Sequence, residues 1–558
     1  MYNMLIGGAA GDGIETTSAL LEKFLQKKGY YVFAMRDFMS RVRGGHNFTK
    51  MRFGAQPIAA HRDALDVLVV LNTESYLLHK DYLKPEGFIL HDASIDIQDE
   101  RAIKLELNAT AKQLGNPKLS GTIAVGALLK IFSMDIDNAA TILPLILRSD
   151  LVPANIAAIQ AGFELTEKRF EPVKPTINNY ISITSAAAMA LGALAANVNF
   201  YSAYPMSPST TLLDYFTAQS EFLGVAVEQA EDEIAAINMA LGASYAGARA
   251  MTGTSGGGFS LMVEGLGFAG IAELPVVIAD IQRPGPATGL PTRTEQSDLK
   301  FVASAAQGEF PRLVIAVKNH IDAFYQTARA VELAQKYQIP VIILSDQYLA
   351  DATITVPSFD LTKLYKTTTL EQHPSQEDYY TYKITVSGVS PRLIPGKTQH
   401  VICIDSDEHD EYGHITEDAF IRTEMVDKRM RKLEQLEKEL IEPEFIGDKD
   451  FTTLFVGFGS THGSIAEAVD ILNTISTQKY AALIFGDIYP LPTKLLKQHA
   501  KQAKEIINIE QNATGQLSSF IRDAALIDCH KSILKYDGRQ ISVDDILLAI
   551  TTDSTEEV

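Results

Sequence analysis

The sequence contains little cysteine. Only Cys403 and Cys529 occur among its 558 residues. Two thiols are too few for a disulfide framework or for a four-cysteine metal site within this chain. Any iron–sulfur cluster in a working assembly must therefore be held by another chain.

Positive charge and long apolar runs are also scarce. Lys and Arg number 49 against 69 Asp and Glu, which gives a formal net charge of −20. So acidic a chain repels phosphate backbones and anionic lipids, and we expect no nucleic-acid and no membrane partner. Polar residues interrupt every apolar stretch before it reaches bilayer length, and the N-terminus lacks the basic segment of a signal peptide. We expect a cytoplasmic protein with small-molecule and protein partners.

Short β-rich runs alternate with helical periods in the first 170 residues, as in MLIGG, YYVFA and ALDVLVVLN. Strands alternating with helices form parallel sheets with helical crossovers, so this segment predicts an α/β fold. A polar, proline-containing stretch at residues 167–179 indicates a linker after it.

Three further segments follow the linker. Residues 180–355 again alternate, with helices rich in Ala and Gly. Residues 356–450 are more polar and contain a charged helix from Ile415 to Ile441, which we expect to lie across the surface. Residues 451–558 return to strand, turn and helix. We predict three doubly wound parallel-sheet domains, at residues 1–170, 180–355 and 451–558.

Two N-terminal motifs admit a functional and a structural interpretation. Residues 7–13, GGAAGDG, join a strand to a helix, where free N–H groups favour an anion, although glycine also serves any tight turn. The triplet Gly11-Asp12-Gly13 resembles a Mg²⁺ motif of thiamine-diphosphate enzymes, but the next Asn, Asn47, is too distant, and we expect no metal. The basic loop from Ser40 to His46 would either cradle cofactor phosphates or dock on an acidic partner.

An acidic loop with two histidines is the other apparent metal motif. His409 and His414 lie among Asp405, Asp407 and Asp410. Their spacing matches no ligand pattern, so we expect a solvated acidic loop and no metal site.

The central segment contains a rigid loop and an acidic helix start. The loop from Tyr204 to Thr211, YPMSPSTT, has two prolines that fix φ, and it precedes a helix. Four acids lie between Glu228 and Glu233, directly before an Ala-rich helix, and the turn from Thr252 to Gly258, TGTSGGG, follows. Acids at a helix start also offset the dipole, so the order of the motifs is the informative feature.

This order resembles the aminopyrimidine-binding domain of thiamine-diphosphate enzymes. In that family a glutamate, here Glu233, hydrogen-bonds N1′ of the cofactor and promotes the tautomer that removes the C2 proton. The resemblance implies that Glu233 is catalytic. The Ala-rich helix offers the apolar pocket that this role requires.

The segment from Gln282 to Leu299, QRPGPATGLPTRTEQSDL, narrows the family. With the preceding motifs it resembles the α subunit of 2-oxoacid:ferredoxin oxidoreductases, and the similarity continues at residues 408–413 and 510–516. The first 170 residues resemble the γ subunit of the same enzymes, fused ahead of α. Nearly the whole chain is covered.

The resemblance also implies roles for individual residues. Arg283 would pair with the 2-oxoacid carboxylate, because a guanidinium offers a planar fork, while Thr292 and Ser207 would help to recognise the substrate. An exposed loop arginine is the structural alternative for Arg283. The implied cofactor-binding residues are Tyr204, Pro205, Thr254, Ser255 and Gly256.

The resemblance implies one subunit of a larger enzyme. This chain would supply the pyrimidine half of a thiamine-diphosphate site, while a β subunit supplies Mg²⁺, the diphosphate site and a [4Fe–4S] cluster, in an (αβ)₂ heterotetramer. The implied reaction is oxidative decarboxylation of a 2-oxoacid to acyl-CoA and CO₂, with coenzyme A as co-substrate and ferredoxin reduced. Two alternatives are a complete thiamine-dependent decarboxylase or transketolase, and a non-catalytic scaffold or regulatory protein.

The fusion of γ to α and the RPGPATGLPT stretch resemble the 2-oxoglutarate enzymes, although pyruvate and branched-chain 2-oxoacids are used by similar chains. A second substrate carboxylate requires a second cation. Arg293, or Arg41 and Arg43, would supply it.

Overall fold

The computed structural model describes residues 1–40, 45–174, 179–367 and 378–556. The strands are β1 (Tyr2–Ala9), β2 (Tyr31–Asp37), β3 (His46–Gly54), β4 (Leu65–Val70), β5 (Leu83–Asp92), β6 (Ala102–Leu105), β7 (Tyr180–Thr184), β8 (Phe200–Ala203), β9 (Ala226–Gln229), β10 (Ala250–Thr254), β11 (Val276–Gln282), β12 (Leu313–Ala316), β13 (Pro340–Asp346), β14 (Thr353–Pro357), β15 (Glu444–Gly447), β16 (Thr453–Phe458), β17 (Tyr480–Phe485), β18 (Asp487–Tyr489), β19 (Glu505–Glu510) and β20 (Lys531–Leu534). The α-helices are α1 (Ile14–Lys27), α2 (Thr73–His79), α3 (Leu107–Gln113), α4 (Ser120–Ile131), α5 (Ala139–Ile142), α6 (Val152–Glu164), α7 (Ser185–Ala195), α8 (Thr210–Leu223), α9 (Glu233–Tyr245), α10 (Gly256–Ile271), α11 (Leu299–Ser304), α12 (His320–Tyr337), α13 (Gln347–Asp351), α14 (Ala419–Leu436), α15 (His462–Ile475), α16 (Lys494–Ala500), α17 (Gln516–Ala525) and α18 (Val543–Glu556).

One compact unit contains Met1–Ile183, Ala352–Ser358 and the chain from Ser542 onward. Its sheet has the order β6-β5-β4-β1-β3-β2-β14-β7. Strands β1, β4, β5 and β6 are parallel, whereas β3 is antiparallel to β1 and β2, and β14 is antiparallel to β2. The C-terminal helix α18 is held in this unit by an ion pair of 2.7 Å between Arg62 and Asp544.

Helices α4 and α6 of this unit contact each other at two glycines. A Cβ atom on Gly126 would lie 2.1 Å from the carbonyl oxygen of Ile159, and one on Gly162 would lie 1.9 Å from that of Ile123. Because no side chain fits at such distances, the two helices touch backbone to backbone. They pack with α1 on one apolar core.

The other compact unit contains Thr184–Asp351 and Phe359–Ile541. Its larger sheet has the order β18-β12-β13-β11-β10-β8-β9, in which all strands are parallel except β18, which is antiparallel to β12. The smaller sheet has the order β15-β17-β16-β19-β20, with only β15 antiparallel among its paired strands. One hydrophobic core is shared by helices and strands of both sheets.

The predicted α/β class with three sheets is confirmed, and parallel pairing predominates in the two sheets of the second unit, whereas the first sheet combines parallel and antiparallel pairs. The predicted domain boundaries stay a prediction. The prediction divided the chain into consecutive segments, whereas each compact unit combines segments that are separated along the chain. In the described ranges, no helix is long and apolar enough to cross a bilayer.

The charged helix of the polar segment differs from its prediction. It spans Ala419–Leu436, and Lys428 and Lys432 on it are buried rather than solvated. Both pair with the buried carboxylate of Glu273, at 2.5 Å for Lys428. Buried charges require such partners, so this face packs inward although its residues are polar.

Candidate functional site

The predicted site residues follow neighbouring parallel strands of the seven-stranded sheet. Tyr204 follows β8, Ser255 follows β10 and Arg283 follows β11, while Glu233 begins α9 shortly after β9. These four strands are adjacent and parallel. The carboxyl ends of parallel strands meet at one edge, which is where such sheets bind ligands.

Glu233 is held at the first position of α9. Asp232 caps the helix, its side chain accepting a hydrogen bond of 2.8 Å from the backbone N–H of Ala235. The helix places a carboxylate where its dipole favours negative charge. Glu233 is only 3% exposed, and its Oε1 has no hydrogen-bond partner among the described residues. Such an oxygen calls for a donor from a bound molecule.

The glycine turn that begins α10 packs against two carboxyl groups. A Cβ atom on Gly258 would lie 2.2 Å from Thr254 Oγ1 and 2.5 Å from Glu233 Oε1. A Cβ atom on Gly256 would lie 2.4 Å from Asp298 Oδ2. Glycine is therefore required at both ends of the GGG triplet, because larger residues would displace these oxygens.

The buried hydroxyl of Ser255 lies at the N-terminus of α10. It makes no capping hydrogen bond, and no described residue partners it. Thr254 Oγ1 donates to the carbonyl oxygen of Ser255 at 3.3 Å. Ser255 Oγ of the turn and Glu233 Oε1 of α9 are thus both buried polar oxygens without described partners.

Arg283 and Ser207 are brought together across the edge of the sheet. Arg283 Nη1 donates a hydrogen bond of 2.6 Å to the carbonyl oxygen of Ser207. The loop is further folded by Ser209 Oγ, which donates to the carbonyl oxygen of Met206 at 2.7 Å. Burial lowers the pKa of Arg283, and the charge of Asp298 opposes this shift. Tyr204, at the start of the same loop, is 39% exposed.

Thr292 and Arg293 lie at the far side of the loop that follows β11. The N–H of Leu290 donates to the carbonyl oxygen of Pro284 at 3.0 Å, and Arg293 Nη1 donates to that of Thr292 at 3.3 Å. Arg293 also packs on Gly538. A Cβ atom on Gly538 would lie 3.2 Å from the Cβ atom of Arg293. Arg293 thus contacts this loop and Gly538, whereas Arg283 contacts Ser207.

Two acids that sequence reasoning missed lie beside the glycine turn that begins α10. Asp280 is fully buried on β11, opposite Thr254 of β10 in the parallel ladder, and Asp298 contacts Gly256. Burial raises the pKa of Asp280 well above its ordinary value and that of Asp298 to about 7. The sequence feature that could have revealed Asp280 is an acid that follows four apolar residues in the strand VVIADIQ.

The N-terminal glycine motif forms a turn beside a cavity of about 380 Å³. Gly11 and Gly13 adopt φ values of 106° and 83°, which favour glycine. The carboxylate of Asp12 accepts a hydrogen bond of 2.7 Å from the N–H of Ala9. This triplet therefore has a turn-forming role that explains its sequence. Arg41 and Arg43 lie outside the described residues.

The acidic loop is solvated only in part. His414 is exposed, as predicted, but His409 is fully buried and stacks on Tyr382 with ring centroids 3.8 Å apart. Its Nδ1 lies 3.1 Å from the carbonyl oxygen of Asp407, and burial lowers its pKa. The expected solvation of His409 is wrong, because this ring is a packed core residue. No group of three or more metal-binding side chains occurs in the part of the chain that the structure describes.

Comparisons with known proteins identify the family of the chain. Residues 3–165 match the family described as pyruvate ferredoxin/flavodoxin oxidoreductase, and residues 191–428 match pyruvate flavodoxin/ferredoxin oxidoreductase, thiamine diP-bdg. A 2-oxoacid:ferredoxin oxidoreductase subunit alpha from Sulfolobus sp is 31% identical over 99% of this chain and 98% of its own length. A 2-oxoglutarate synthase subunit KorA from Methanocaldococcus jannaschii is 32% identical over 59% of this chain and 87% of its own length.

The solved structures include a full-length relative. The 2-oxoglutarate:ferredoxin oxidoreductase from Magnetococcus marinus, with 2-oxoglutarate, coenzyme A and succinyl-CoA bound, is 29% identical with a TM-score of 0.92, and each chain is 99% covered. Similarity in sequence and fold thus extends over both compact units. The chain belongs to the α subunits of the 2-oxoacid:ferredoxin oxidoreductases, which are thiamine-diphosphate-dependent enzymes.

Proposed function

We propose that this chain supplies the pyrimidine-binding half of the thiamine-diphosphate site and the arginine that binds the 2-oxoacid carboxylate. The observation that carries the proposal is Glu233, which is buried with Oε1 lacking a described partner. Gly258 of the α10 turn has no side chain beside that oxygen, and a Cβ atom there would lie 2.5 Å from it. A ring nitrogen that carries a proton would satisfy it, so the residues present fit the cofactor.

In the proposed reaction this chain holds a proton and binds the substrate. Bound thiamine diphosphate supplies the nucleophilic carbon and stores the electrons released when CO₂ leaves. Glu233 holds a proton at N1′ of the pyrimidine and exchanges it, in a pocket where burial strengthens the hydrogen bond. The proposed walls of the pocket are Tyr204, Pro205, Thr254, Ser255 and Gly256.

Arg283 would orient the 2-oxoacid. One of its nitrogens is engaged by Ser207, which fixes the direction of the guanidinium and leaves its other N–H groups for a carboxylate. We propose 2-oxoglutarate as the preferred substrate, with Thr292 contributing to recognition. Support comes from relatives whose names and ligands include 2-oxoglutarate. Pyruvate and branched-chain 2-oxoacids are the alternatives. The second carboxylate of 2-oxoglutarate requires a cation, and its proposed sources remain Arg293, Arg41 and Arg43.

The remaining parts of the enzyme are proposed to come from a β subunit. Cys403 and Cys529 are both free, and two thiols cannot ligate a [4Fe–4S] cluster. We propose that β holds this cluster, Mg²⁺ and the diphosphate, that the two chains form an (αβ)₂ heterotetramer, and that ferredoxin and coenzyme A react with it. We also propose a cytoplasmic location for the assembly.

Glu233→Gln in the complex assembled with β tests the proposal. The amide keeps the size of the side chain but cannot exchange a proton with N1′, so turnover should fall roughly 10²-fold or more. Glu228→Gln and Glu231→Gln are matched controls, because both acids are exposed and should be dispensable. If an exposed acid proves essential and Glu233 does not, the assignment of the catalytic acid is wrong. If all three variants are active, a non-catalytic scaffold is the better description.

A further inference from the structure

The loop of residues 283–298 joins β11 to α11 and carries three of the proposed substrate residues, Arg283, Thr292 and Arg293. The structure describes this whole stretch, and no helix or strand occurs in it. Residues 285–290 are exposed. A long connection without secondary structure needs outside support if its side chains are to bind a substrate in one geometry.

Gln296 fastens the 283–298 loop to the smaller sheet of the same compact unit. Its Nε2 donates a hydrogen bond of 2.8 Å to the carbonyl oxygen of Phe458, the last residue of β16. Its Oε1 accepts one of 3.3 Å from the backbone N–H of Gln511, which follows β19. Its backbone N–H donates to the carbonyl oxygen of Gln511 at 2.8 Å, and its own carbonyl oxygen accepts from Asn512 Nδ2 at 3.0 Å. Both amide groups of Gln296 are thus paired at the carboxyl ends of β16 and β19.

The partners of Gln296 are themselves held in place. Gln511 and Asn512 are 0% and 1% exposed. Gln511 Oε1 accepts a hydrogen bond of 2.7 Å from the N–H of Ile541, and Asn512 Oδ1 accepts one of 2.8 Å from the N–H of Gly515. Buried amides whose hydrogen bonds are made form a rigid network, so the smaller sheet gives Gln296 a fixed support.

Gln516 makes a second joint next to the first. Its Nε2 donates a hydrogen bond of 2.7 Å to the carbonyl oxygen of Ser297, and its Oε1 accepts one of 2.8 Å from the N–H of Lys300. Gln516 begins α17, which follows β19 in the smaller sheet. Two glutamines from different places in the sequence therefore hold the same end of the 283–298 loop.

Asp298 connects this end of the loop to Arg283. Its backbone N–H donates a hydrogen bond of 3.0 Å to Gln282 Oε1, and Gln282 Nε2 donates one of 3.1 Å to the carbonyl oxygen of Ser345. Gln282 ends β11 and directly precedes Arg283. The support that the smaller sheet gives to Gln296 thus reaches both ends of the loop.

We propose that Gln296 is a positioning residue for substrate binding, which fixes the 283–298 loop on the smaller sheet so that Arg283, Thr292 and Arg293 meet the 2-oxoacid in one geometry. This inference rests on the proposed function of Arg283. Removal of the side-chain amide leaves a buried carbonyl oxygen and a buried N–H without partners, which should displace the loop. Substrate binding would then have to order the loop again, and affinity should fall.

Gln296→Leu in the complex assembled with β tests this inference, with Gln338→Leu as the matched control. Gln338 is also buried, and its Nε2 also donates a hydrogen bond of 2.8 Å to a carbonyl oxygen, that of Ser390. It precedes the amino end of β13, whereas Arg283 follows the carboxyl end of the neighbouring strand β11. Both variants should lower the Tm, because each leaves a buried carbonyl oxygen unpaired.

Only Gln296→Leu should impair the use of the substrate. Its kcat/KM for 2-oxoglutarate, measured by ferredoxin reduction, should fall roughly 10- to 100-fold, as for binding groups displaced by about 1 Å. Most of the loss should be a rise in KM, because binding groups are displaced while the cofactor chemistry is kept. Gln338→Leu should stay near the wild-type value. The loss in Arg283→Leu/Gln296→Leu should be smaller than the product of the two single losses, because both substitutions act on one binding group.

Three results would overturn the inference: a kcat/KM in Gln296→Leu equal to that of Gln338→Leu, a loss confined to kcat, or a loss that multiplies fully with that of Arg283→Leu. Gln516→Leu removes the second joint and should also raise KM, so it decides the question if Gln296→Leu does not assemble. A wild-type kcat/KM in Arg283→Leu alone would instead contradict the proposed function itself.

Discussion

Replacing Gly258 by alanine tests whether the first turn of α10 keeps Glu233 in position. The backbone of Gly258 lies outside the left-handed region, so alanine can adopt it and the effect comes from the added methyl group. That methyl group would lie 2.2 Å from Thr254 Oγ1 and 2.5 Å from Glu233 Oε1. Both distances are shorter by about 1 Å or more than the optimal separation of non-bonded atoms.

The size of the effect follows from burial. Thr254 and Glu233 are 0% and 3% exposed, so neither can swing into solvent to make room. Overpacking of this kind costs about 1–3 kcal/mol of unfolding free energy. A displacement of about 1 Å of a catalytic group costs roughly 10²-fold in rate. We therefore expect kcat to fall about 10²-fold and the Tm to fall by only a few degrees.

Gly257→Ala is the matched control in the same turn. The nearest atom to its added Cβ would be the carbonyl oxygen of Ala287, at an ordinary 3.7 Å, so the methyl group fits. Alanine in a helix is more stable than glycine by about 0.5–1 kcal/mol, and activity should be retained. The assay is 2-oxoacid-dependent ferredoxin reduction by the assembled complex, with thermal unfolding in parallel. Equal activity of the two variants would refute the argument.

Four other predictions follow from the structure and the proposal. Glu273→Gln leaves Lys428 and Lys432 buried without a carboxylate and should lower the free energy of unfolding by about 3–5 kcal/mol, measured by urea denaturation. Because burial lowers the pKa of Lys432 to about 8, stability should rise as pH increases from 8 towards the pKa of an exposed lysine, and Lys432→Met should remove that rise. Arg283→Leu should impair all 2-oxoacids and Arg293→Leu only 2-oxoglutarate, by about 1–3 kcal/mol in competition assays, and a higher kcat/KM for pyruvate would contradict the substrate assignment. The isolated chain should be colourless and inactive and gain iron and activity only with β, so a brown, active single chain would contradict the subunit proposal.

Local sequence order carried most of the information about the candidate site. Glu233 could be selected from four neighbouring acids because an Ala-rich helix and a glycine turn follow it, and the structure finds it buried while Glu228 and Glu231 are exposed. Arg283 and Ser207 were predicted from separate loops, and the parallel order of β8, β10 and β11 brings them together. Alternating strands and helices likewise sufficed for the fold class.

Partners distant along the chain explain what the sequence did not reveal. Lys428 and Lys432 are typical surface residues until Glu273, about 155 residues earlier, is seen to neutralise them. His409 was expected in solvent because its neighbours are acidic, but Tyr382 covers its ring. Asp298 lies in the segment from Gln282 to Leu299 and Asp280 lies outside it, and only the ladder between β10 and β11 and the contact with Gly256 show that both are near one turn. Sequence patterns record local periodicity, whereas these environments depend on tertiary contacts.

Strand β18 has a consequence for dissecting the chain into fragments. It pairs with the edge strand β12, and Asp487 at its start forms two hydrogen bonds, of 2.7 and 2.8 Å, with the buried guanidinium of Arg329. A fragment ending at Asp351 would leave the edge of β12 open for pairing with another chain and Arg329 without its carboxylate. Such a fragment should aggregate on expression, so the segment proposed to bind the pyrimidine is better studied with the C-terminal sheet attached.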